Sequence, residues 1–470
     1  MAELLSARLK NIMSLYRQLC SSVIFPLHER LKKHRSVALR RAMEQSQWWT
    51  PEQLQQLQLT RLQALLQHCI AHVPYWQKRF EELQLTPQDF RSLTDLHKLP
   101  FLTKAEIRAH TEALKADNAQ HLSRFNTGGS SGEPLVFFIG KQRVSHDVAA
   151  KWRATRWWGV DIGDPELVVW GSPIELGGQD RIKAIRDKLL RTQLLPAFEM
   201  SETNLDRFVA TIRRARPRML FGYPSSLSRI AQHAQRRGVA MDQSGIKVAF
   251  VTSERLYDEQ RHLIETTFGC PVANGYGGRD AGFIAHQCPQ GGMHITAEDI
   301  IVEIIDANTG QPQPPGAPGE IVITHLATGD FPFIRYRTGD IGTLDPHPCR
   351  CGRGLPLLKE IQGRTTDFVI AQDGTLMHGL ALIYVLRDVP TVAGFKIIQE
   401  TLHHTRVLLK PGPGFSDAEE QTIISGLQKR LGHNVNITIE RVTEVPPEKS
   451  GKFRYIVSHV PQAQTSVVTH

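Results

Sequence analysis

Long apolar runs are missing from this sequence. No window approaches the roughly 18 uninterrupted apolar residues that a membrane-spanning helix requires, and the opening MAELLSARLK lacks the apolar core of a secretory signal. A cytoplasmic protein with no transmembrane segment is therefore expected. Cysteine is scarce, six in 470 residues, which excludes a disulfide framework. No aromatic RNA-binding motif and no helix-turn-helix signal is present, so nucleic acid is not an expected partner. A Walker A loop is missing too, because no Lys-Ser or Lys-Thr follows the last glycine of the one Gly/Ser-rich turn, FNTGGSSGEPLVFF at 125–138. That turn contains the string G-x-S-x-G (Gly128, Ser130, Gly132), yet a strand-like PLVFFIG follows where a hydrolase nucleophile elbow needs a helix.

What is present is basic charge. The net charge is +9, and HERLKKHRSVALRR gathers Arg30, Lys32, Lys33, Arg35, Arg40 and Arg41 into one expected helix. A solvated helical face is the plain reading; an acidic membrane surface is the alternative. Anionic small molecules would account for a basic balance equally well.

The length is too great for one core, so two or three domains are expected. Residues 1–85 read as helical, with helical spacing through LQQLQLTRLQALLQHCIAHV. Cys20 and Cys69 fall in such patterns and read as buried thiols. From about 200, helices alternate with short buried strands: LDRFVATIRRA capped by Ser201, then RMLFGY, a helix from Pro224, KVAFVT, YDEQRHLIETTF ending at Gly269, and PVANGY. This is α/β texture. After about 295 it becomes strand-rich (IIVEIID, GEIVITH, FPFIRYRTGDIGTL), and after Arg364 a small α+β unit follows. The expected domains are a helical segment 1–85, a core domain 86–365 and a C-terminal unit 366–470, with a hinge near 364–367.

Five segments carry chemistry. The Gly/Ser/Thr turn can wrap phosphate oxygens with backbone N–H and hydroxyl groups. NGYGGRDAGF offers backbone and an aromatic face to a flat base, and Asp280 offers a hard oxygen ligand for magnesium. In RYRTGDIG, Asp340 could accept both hydroxyls of a ribose. Arg364 in IQGRTTDF could pair with phosphate or ribose. Lys452 in EKSGKFRY could reach a phosphate as a point charge. A separate set, Cys288-x5-His294 with Cys349-x-Cys351, supplies three thiolates and one imidazole. That is enough for a closed tetrahedral zinc site, which leaves no open position for catalysis. Cys270 or His286 could compete as fourth ligand.

Taken in order, these segments resemble the adenylate-forming superfamily of acyl-CoA synthetases, and within it the phenylacetate–CoA ligase family, especially members encoded near capsular-polysaccharide genes. The resemblance runs from about 60 to 460 and includes HVPYWQKRF, DLHKLPFLTKAEIR, FGYPSSL, VTSERL and CRCGRGLPLLKEIQGR. It implies a large adenylate-forming domain with an α/β sheet and a strand-rich subdomain, plus a small α+β C-terminal lid domain. It implies that Thr127, Ser130, Ser131 and Gly132 hold the β- and γ-phosphates of ATP. Ser253, Glu254, Gly275, Tyr276 and Gly277 would line the adenine pocket of ATP or AMP. Asp280 would bind Mg2+, Asp340 ribose, Arg364 ribose or phosphate, and Lys452 would be the adenylating lysine, carried by a domain that closes over the site. CoA is the implied acceptor of the acyl group. A sugar or amine acceptor in surface-polysaccharide synthesis, or a non-catalytic relative, are the alternatives, and a homodimer is left open.

Three residues depart from the family pattern. Glu133 stands in place of a common lysine, Asp280 in place of a glutamate, and Thr366 in place of the first of two hinge aspartates, leaving Asp367 as the nearest equivalent. Trp152, Trp157, Trp158 and Trp170 follow the phosphate loop, where relatives build part of the acyl pocket; an aromatic acid could stack there, and core packing is the alternative.

Overall fold

The computed structural model describes residues 14–126, 135–170, 181–197, 200–364, 368–374, 376–378, 380–445 and 454–460. They divide into two compact units: residues 1–306, 311–338 and 342–361 form the first, and 307–310, 339–341 and 362–470 the second. The hinge residues 365–367 lie outside the described residues.

An eleven-stranded sheet runs through the first unit. One half is parallel, in the order Thr192–Pro196, Glu166–Trp170, Met219–Gly222, Val248–Thr252, Val272–Gly278. Met219–Gly222 and Val248–Thr252 are buried at every position, as strands covered on both faces by helices must be. The helices Glu202–Ala215, Pro224–Arg236 and Asp258–Phe268 cover one face through Phe208, Leu227, Ile230 and Ile264, and helix Lys141–Trp157 covers the other through Ala154 and Trp157. Ser201 caps the first of them by accepting from the Asn204 amide, and the third stops at Gly269, whose φ of 62° suits a residue without Cβ. From Val272–Gly278 the sheet turns antiparallel through Gly282–Gln287 and Met293–Ile295, and continues through Leu357–Arg364, Tyr336–Asp345, Gly319–His325 and Ile300–Ile305.

Helix Pro51–His72 opens with a reciprocal cap, in which Thr50 and Gln53 exchange backbone and side-chain hydrogen bonds. Its Leu62, Leu65 and Leu66 join the core of the antiparallel half, so the N-terminal helices belong to the first unit. The basic segment is not one helix. Helix Phe25–Leu31 ends, Lys33 takes a left-handed φ of 59°, and a second helix runs Ser36–Ser46. The cause is local: the buried Glu29 carboxylate accepts from the Ser36 hydroxyl and meets His34, folding the chain back on itself. A second difference is that the strand expected from Phe331 begins only at Tyr336. Arg335, at φ 50°, turns its buried guanidinium to Glu303 and to the carbonyls of His97 and Leu99.

The second unit packs helices Leu380–Arg387 and Asp417–Leu431 with a four-stranded sheet. Its central hairpin Val392–Thr401/His404–Pro411 is antiparallel, flanked in parallel by Ile456–Ser458 and Asn436–Arg441. A short pair, Phe368–Ile370 with Leu376–His378, brackets the expected turn at AQDGTL.

Candidate active site and metal centre

The order of the parallel strands reverses between Glu166–Trp170 and Met219–Gly222, and in open α/β sheets ligands bind outside the carboxyl ends of strands at such a point. Those ends carry Trp170 and Tyr223, whose rings stack at 4.3 Å and 27°. Burial raises the Tyr223 phenol, and the Glu254 carboxylate adds to it. Glu254 accepts from the Ser225 amide at 3.2 Å, at the start of helix Pro224–Arg236. Beside it Ser253 holds a left-handed φ of 71°, unusual for a residue with a side chain.

The next strand ends in Gly275-Tyr276-Gly277. A Cβ at 275 would lie 2.8 Å from Phe250, and one at 277 would lie 2.1 Å from the Gly282 carbonyl oxygen. Glycine is therefore required by packing at both positions, and the sheet register slips between Tyr276 and Gly277. The turn that follows is gripped from within the protein. Arg143, 2% exposed, donates to the carbonyls of Arg279 and Asp280, both at 3.1 Å, and to the Asp147 carboxylate at 3.0 Å. Asp280 is half-buried; its carboxylate accepts from the Tyr336 hydroxyl at 2.6 Å and from the Ala281 amide at 3.1 Å. Both are neutral donors, compatible with an ionised carboxylate that can take a hard cation.

Around Arg143 lies a buried ionic network. Asp147 is held below the usual carboxylate range: burial acts to raise it, and Arg143 and His325 outweigh that. Asp299, bonded to His146 and Arg61, is lowered against burial in the same way. Sequence reasoning missed Arg143 and Tyr336. Tyr336 lies inside the RYRTGDIG segment, but nothing local distinguishes a phenol that reaches a residue 56 positions away.

Of the remaining expected residues, Asp340 is half-buried on strand Tyr336–Asp345. It groups with the second unit, as does Arg364. Thr127, Ser130, Ser131, Gly132 and Lys452 lie outside the described residues. The tryptophans separate. Trp152 is in the core, its N–H on Asp161 and its edge against Phe25; Trp158 donates to the Gln287 carbonyl; Trp157 covers the cysteine cluster. Trp170 alone stands at the strand ends.

Cys288, His294, Cys349 and Cys351 come together, with their ligand atoms all within 4.8 Å of one another. The Cys288 and Cys349 sulfurs are 3.7 Å apart, and Cys351 sulfur lies 3.2 Å from His294 Nε2. Two thiolates at about 2.3 Å from a tetrahedral zinc stand about 3.8 Å apart, so the donor set and spacing fit that ion. Cys270 and His286 are not part of this cluster. Burial pushes the Cys288 thiol up to about 12 and His294 down to about 4. Burial raises Cys351 as well, but hydrogen bonds from Arg353 and the two neighbouring thiols more than offset it. A Cβ at Gly292 would lie 2.5 Å from the Cys349 sulfur, so that turn requires glycine. Trp157 meets His294 edge-on at 5.5 Å, and Arg353 lies over Trp157 at 4.6 Å. Gln47 takes the Trp157 N–H at 2.8 Å and Arg353 at 3.2 Å.

Comparison with known proteins bears on the fold and on what the chain is similar to. Residues 193–328 match the family model for AMP-binding enzymes, and residues 369–459 that for the CapK C-terminal domain. A phenylacetate–coenzyme A ligase of Thermus thermophilus is 26% identical over 86% of this chain and 96% of its own length. Protein CapK of Staphylococcus aureus is 24% identical over 78% and 81%. A crystal structure of 2-hydroxyisobutyryl-CoA ligase in its postadenylation state superposes with a TM-score of 0.70 at 20% identity, over 87% of this chain and 90% of that one.

Proposed function

We propose that the chain, similar to the phenylacetate–CoA ligases and CapK, is an adenylate-forming ligase that activates a carboxylic acid with ATP and hands the acyl group to CoA. The substrate carboxylate attacks the α-phosphorus, the bond to the bridging oxygen breaks, and pyrophosphate leaves. The thiol of CoA then attacks the acyl carbon, giving up its proton, and AMP leaves as the thioester forms.

Both reactants of the first step are anions, so the site must stabilise charge that builds on phosphorus. The observation that carries the reading is the Arg143-held turn, which presents Asp280 directly after the glycine-rich end of strand Val272–Gly278. Asp280 would hold Mg2+, which when bound neutralises phosphate charge. Tyr336 orients that carboxylate. Gly275, Tyr276 and Gly277, with Ser253 and Glu254, would receive the adenine. Thr127, Ser130, Ser131 and Gly132 would hold the phosphates, Asp340 the ribose, Arg364 the ribose or phosphate, and Lys452 would contribute its ammonium to the transition state; these roles rest on the motifs. The Trp170–Tyr223 stack supports an aromatic or flat apolar acid. Cys288, His294, Cys349 and Cys351 would hold a structural zinc. Transfer to a sugar or amine in polysaccharide synthesis is the alternative, and no feature of the site favours it.

The test is acid-dependent pyrophosphate exchange over a panel of carboxylic acids, with and without CoA, for wild type and Lys452→Ala. Exchange in the wild type, with CoA converting it to net thioester, is expected. Lys452→Ala should lose exchange while keeping its melting temperature. Undiminished exchange in that variant would remove Lys452 from its role, and no exchange with any acid would remove the activity.

A further inference from the structure

Among the described residues, half of the exposed large apolar side chains fall on one helical stretch at the start of the chain. Residues 14–31 are helical, with a π turn at Cys20–Ile24. Leu15, Leu19, Val23, Leu27 and Leu31 stand 64, 47, 54, 56 and 77% exposed, one every four residues. On an α-helix that spacing drifts by about 40° per step. The wider π turn falls between Leu19 and Leu27 and rotates the stripe back, and π turns of this kind recur at functional sites.

The opposite side is fixed to the protein. Cys20 and Phe25 are buried, Phe25 meets Trp152 edge-on, and the helix runs so close to the loop below that a Cβ at Gly163 would lie 2.4 Å from Cys20. The stripe is therefore held outward. Helix Arg181–Leu190 lies alongside, tied by the Tyr16 hydroxyl to the Leu189 carbonyl, and adds Ile185 and Leu189, 60 and 43% exposed. A patch of this kind marks an interaction site.

Charge decides what covers it. Between residues 14 and 43 the one acidic side chain is Glu29, and it is buried. Arg30, Lys32, Lys33, Arg35 and Lys188 are exposed at the border of the stripe. An apolar ridge about 24 Å long, edged by cations, with the partly exposed Asp187 of the neighbouring helix paired to Arg186, matches the boundary between acyl chains and acidic headgroups. A second copy of the same surface would set cations against cations.

We propose that this face docks the enzyme peripherally on an anionic membrane surface, the apolar stripe entering the headgroup layer and the basic end pairing with acidic lipid. The experiment is co-sedimentation of the full chain with phosphatidylcholine vesicles, with and without phosphatidylglycerol, at two salt concentrations. Two double variants are compared, Leu19→Glu with Leu27→Glu, and Lys32→Glu with Lys33→Glu. All four positions are exposed, so the melting temperature should hold. Wild type is expected to pellet with the acidic vesicles and less so in high salt. Binding should fall at least tenfold in the leucine variant and at least about fivefold for each lysine replaced in the lysine variant. Equal binding of wild type and variants, or no binding to acidic vesicles, overturns the proposal. So does a wild-type dimer by sedimentation velocity that Leu19→Glu with Leu27→Glu converts to monomer, because the face then serves a second copy of the chain.

Discussion

The hydroxyl of Tyr336 donates a 2.6 Å hydrogen bond to the carboxylate of Asp280, joining the strand-rich half of the sheet to the end of its parallel half. Tyr336 is fully buried, so Tyr336→Phe keeps the packing and deletes one hydrogen bond to a charged group, a loss of about 2 kcal/mol in stability. Its functional effect should appear in metal dependence. If Asp280 takes the cation, losing the phenol lets the carboxylate swing, and the Mg2+ concentration for half-maximal pyrophosphate exchange should rise several-fold. Asp280→Asn should lower exchange by at least tenfold at any Mg2+ concentration. A Mg2+ titration of both variants decides the matter; unchanged curves would take Asp280 out of the site.

Much of this arrangement was legible in the sequence because it is local. VAFVT and RMLFGY are uniform apolar runs between turn residues, and they form buried parallel strands. Cys288, His294, Cys349 and Cys351 were recognisable because soft ligands in this number are rare. What was not legible depends on contacts between distant segments. Arg143 begins an ordinary polar helix, and its role appears only when the Asp280 turn arrives 137 residues later. The break at Lys33 has a similar origin, since Glu29 draws Ser36 and His34 to itself inside a segment whose composition favours continuous helix. The late start of the strand at Tyr336 follows from the left-handed Arg335, which is fixed by Glu303 and by carbonyls more than 200 residues away in sequence.

The cysteine cluster makes a prediction independent of activity. Purified protein should hold about one zinc per chain. The loop carrying Cys349 and Cys351 joins Tyr336–Asp345 to Leu357–Arg364. Its far end is pressed so tightly on residues 49 and 50 that a Cβ at Gly354 would lie 1.8 Å from the Trp49 carbonyl oxygen. Zinc would pin this loop to Cys288 and to His294, which already pairs with Leu357 across the sheet. Cys349→Ser removes one thiolate and should lower the melting temperature by several degrees, with zinc lost on gel filtration against a mild chelator. Elemental analysis of the wild type comes first. Metal-free protein that melts no lower than zinc-loaded protein would exclude the site, and zinc retained by Cys349→Ser with unchanged melting would exclude this ligand set.

Stability should also fall in mild acid, and His325 is the residue to follow. It is buried, and its Nδ1 accepts a 3.3 Å hydrogen bond from the Ala327 amide, so the ring hydrogen sits on Nε2, which faces Asp147 at 3.9 Å. Protonation would set an Nδ1–H against that amide N–H. Burial, with Arg143 acting in the same direction, lowers its pKa to about 4; Asp147 and Asp299 oppose them and do not prevail. The unfolded ring takes its proton near 6.5. A depressed folded pKa means that this contribution is complete above about 6.5 and is lost as the pH falls toward 4. The difference corresponds to on the order of 3 kcal/mol. Asp147 and Asp299, held below the usual carboxylate range, keep their contributions until the pH is lower still and do not confuse the window. His325→Asn retains an acceptor for the Ala327 amide and cannot titrate. Urea unfolding of both proteins at pH 7 and pH 4.5 should show the wild type losing more stability than the variant, by about 2 to 3 kcal/mol, although the variant starts lower because it leaves part of the buried volume empty. Other buried histidines contribute equally to both proteins and cancel in the comparison. Equal acid losses in the two proteins would mean that the folded ring takes its proton near the unfolded value, with Asp147 and Asp299 cancelling burial.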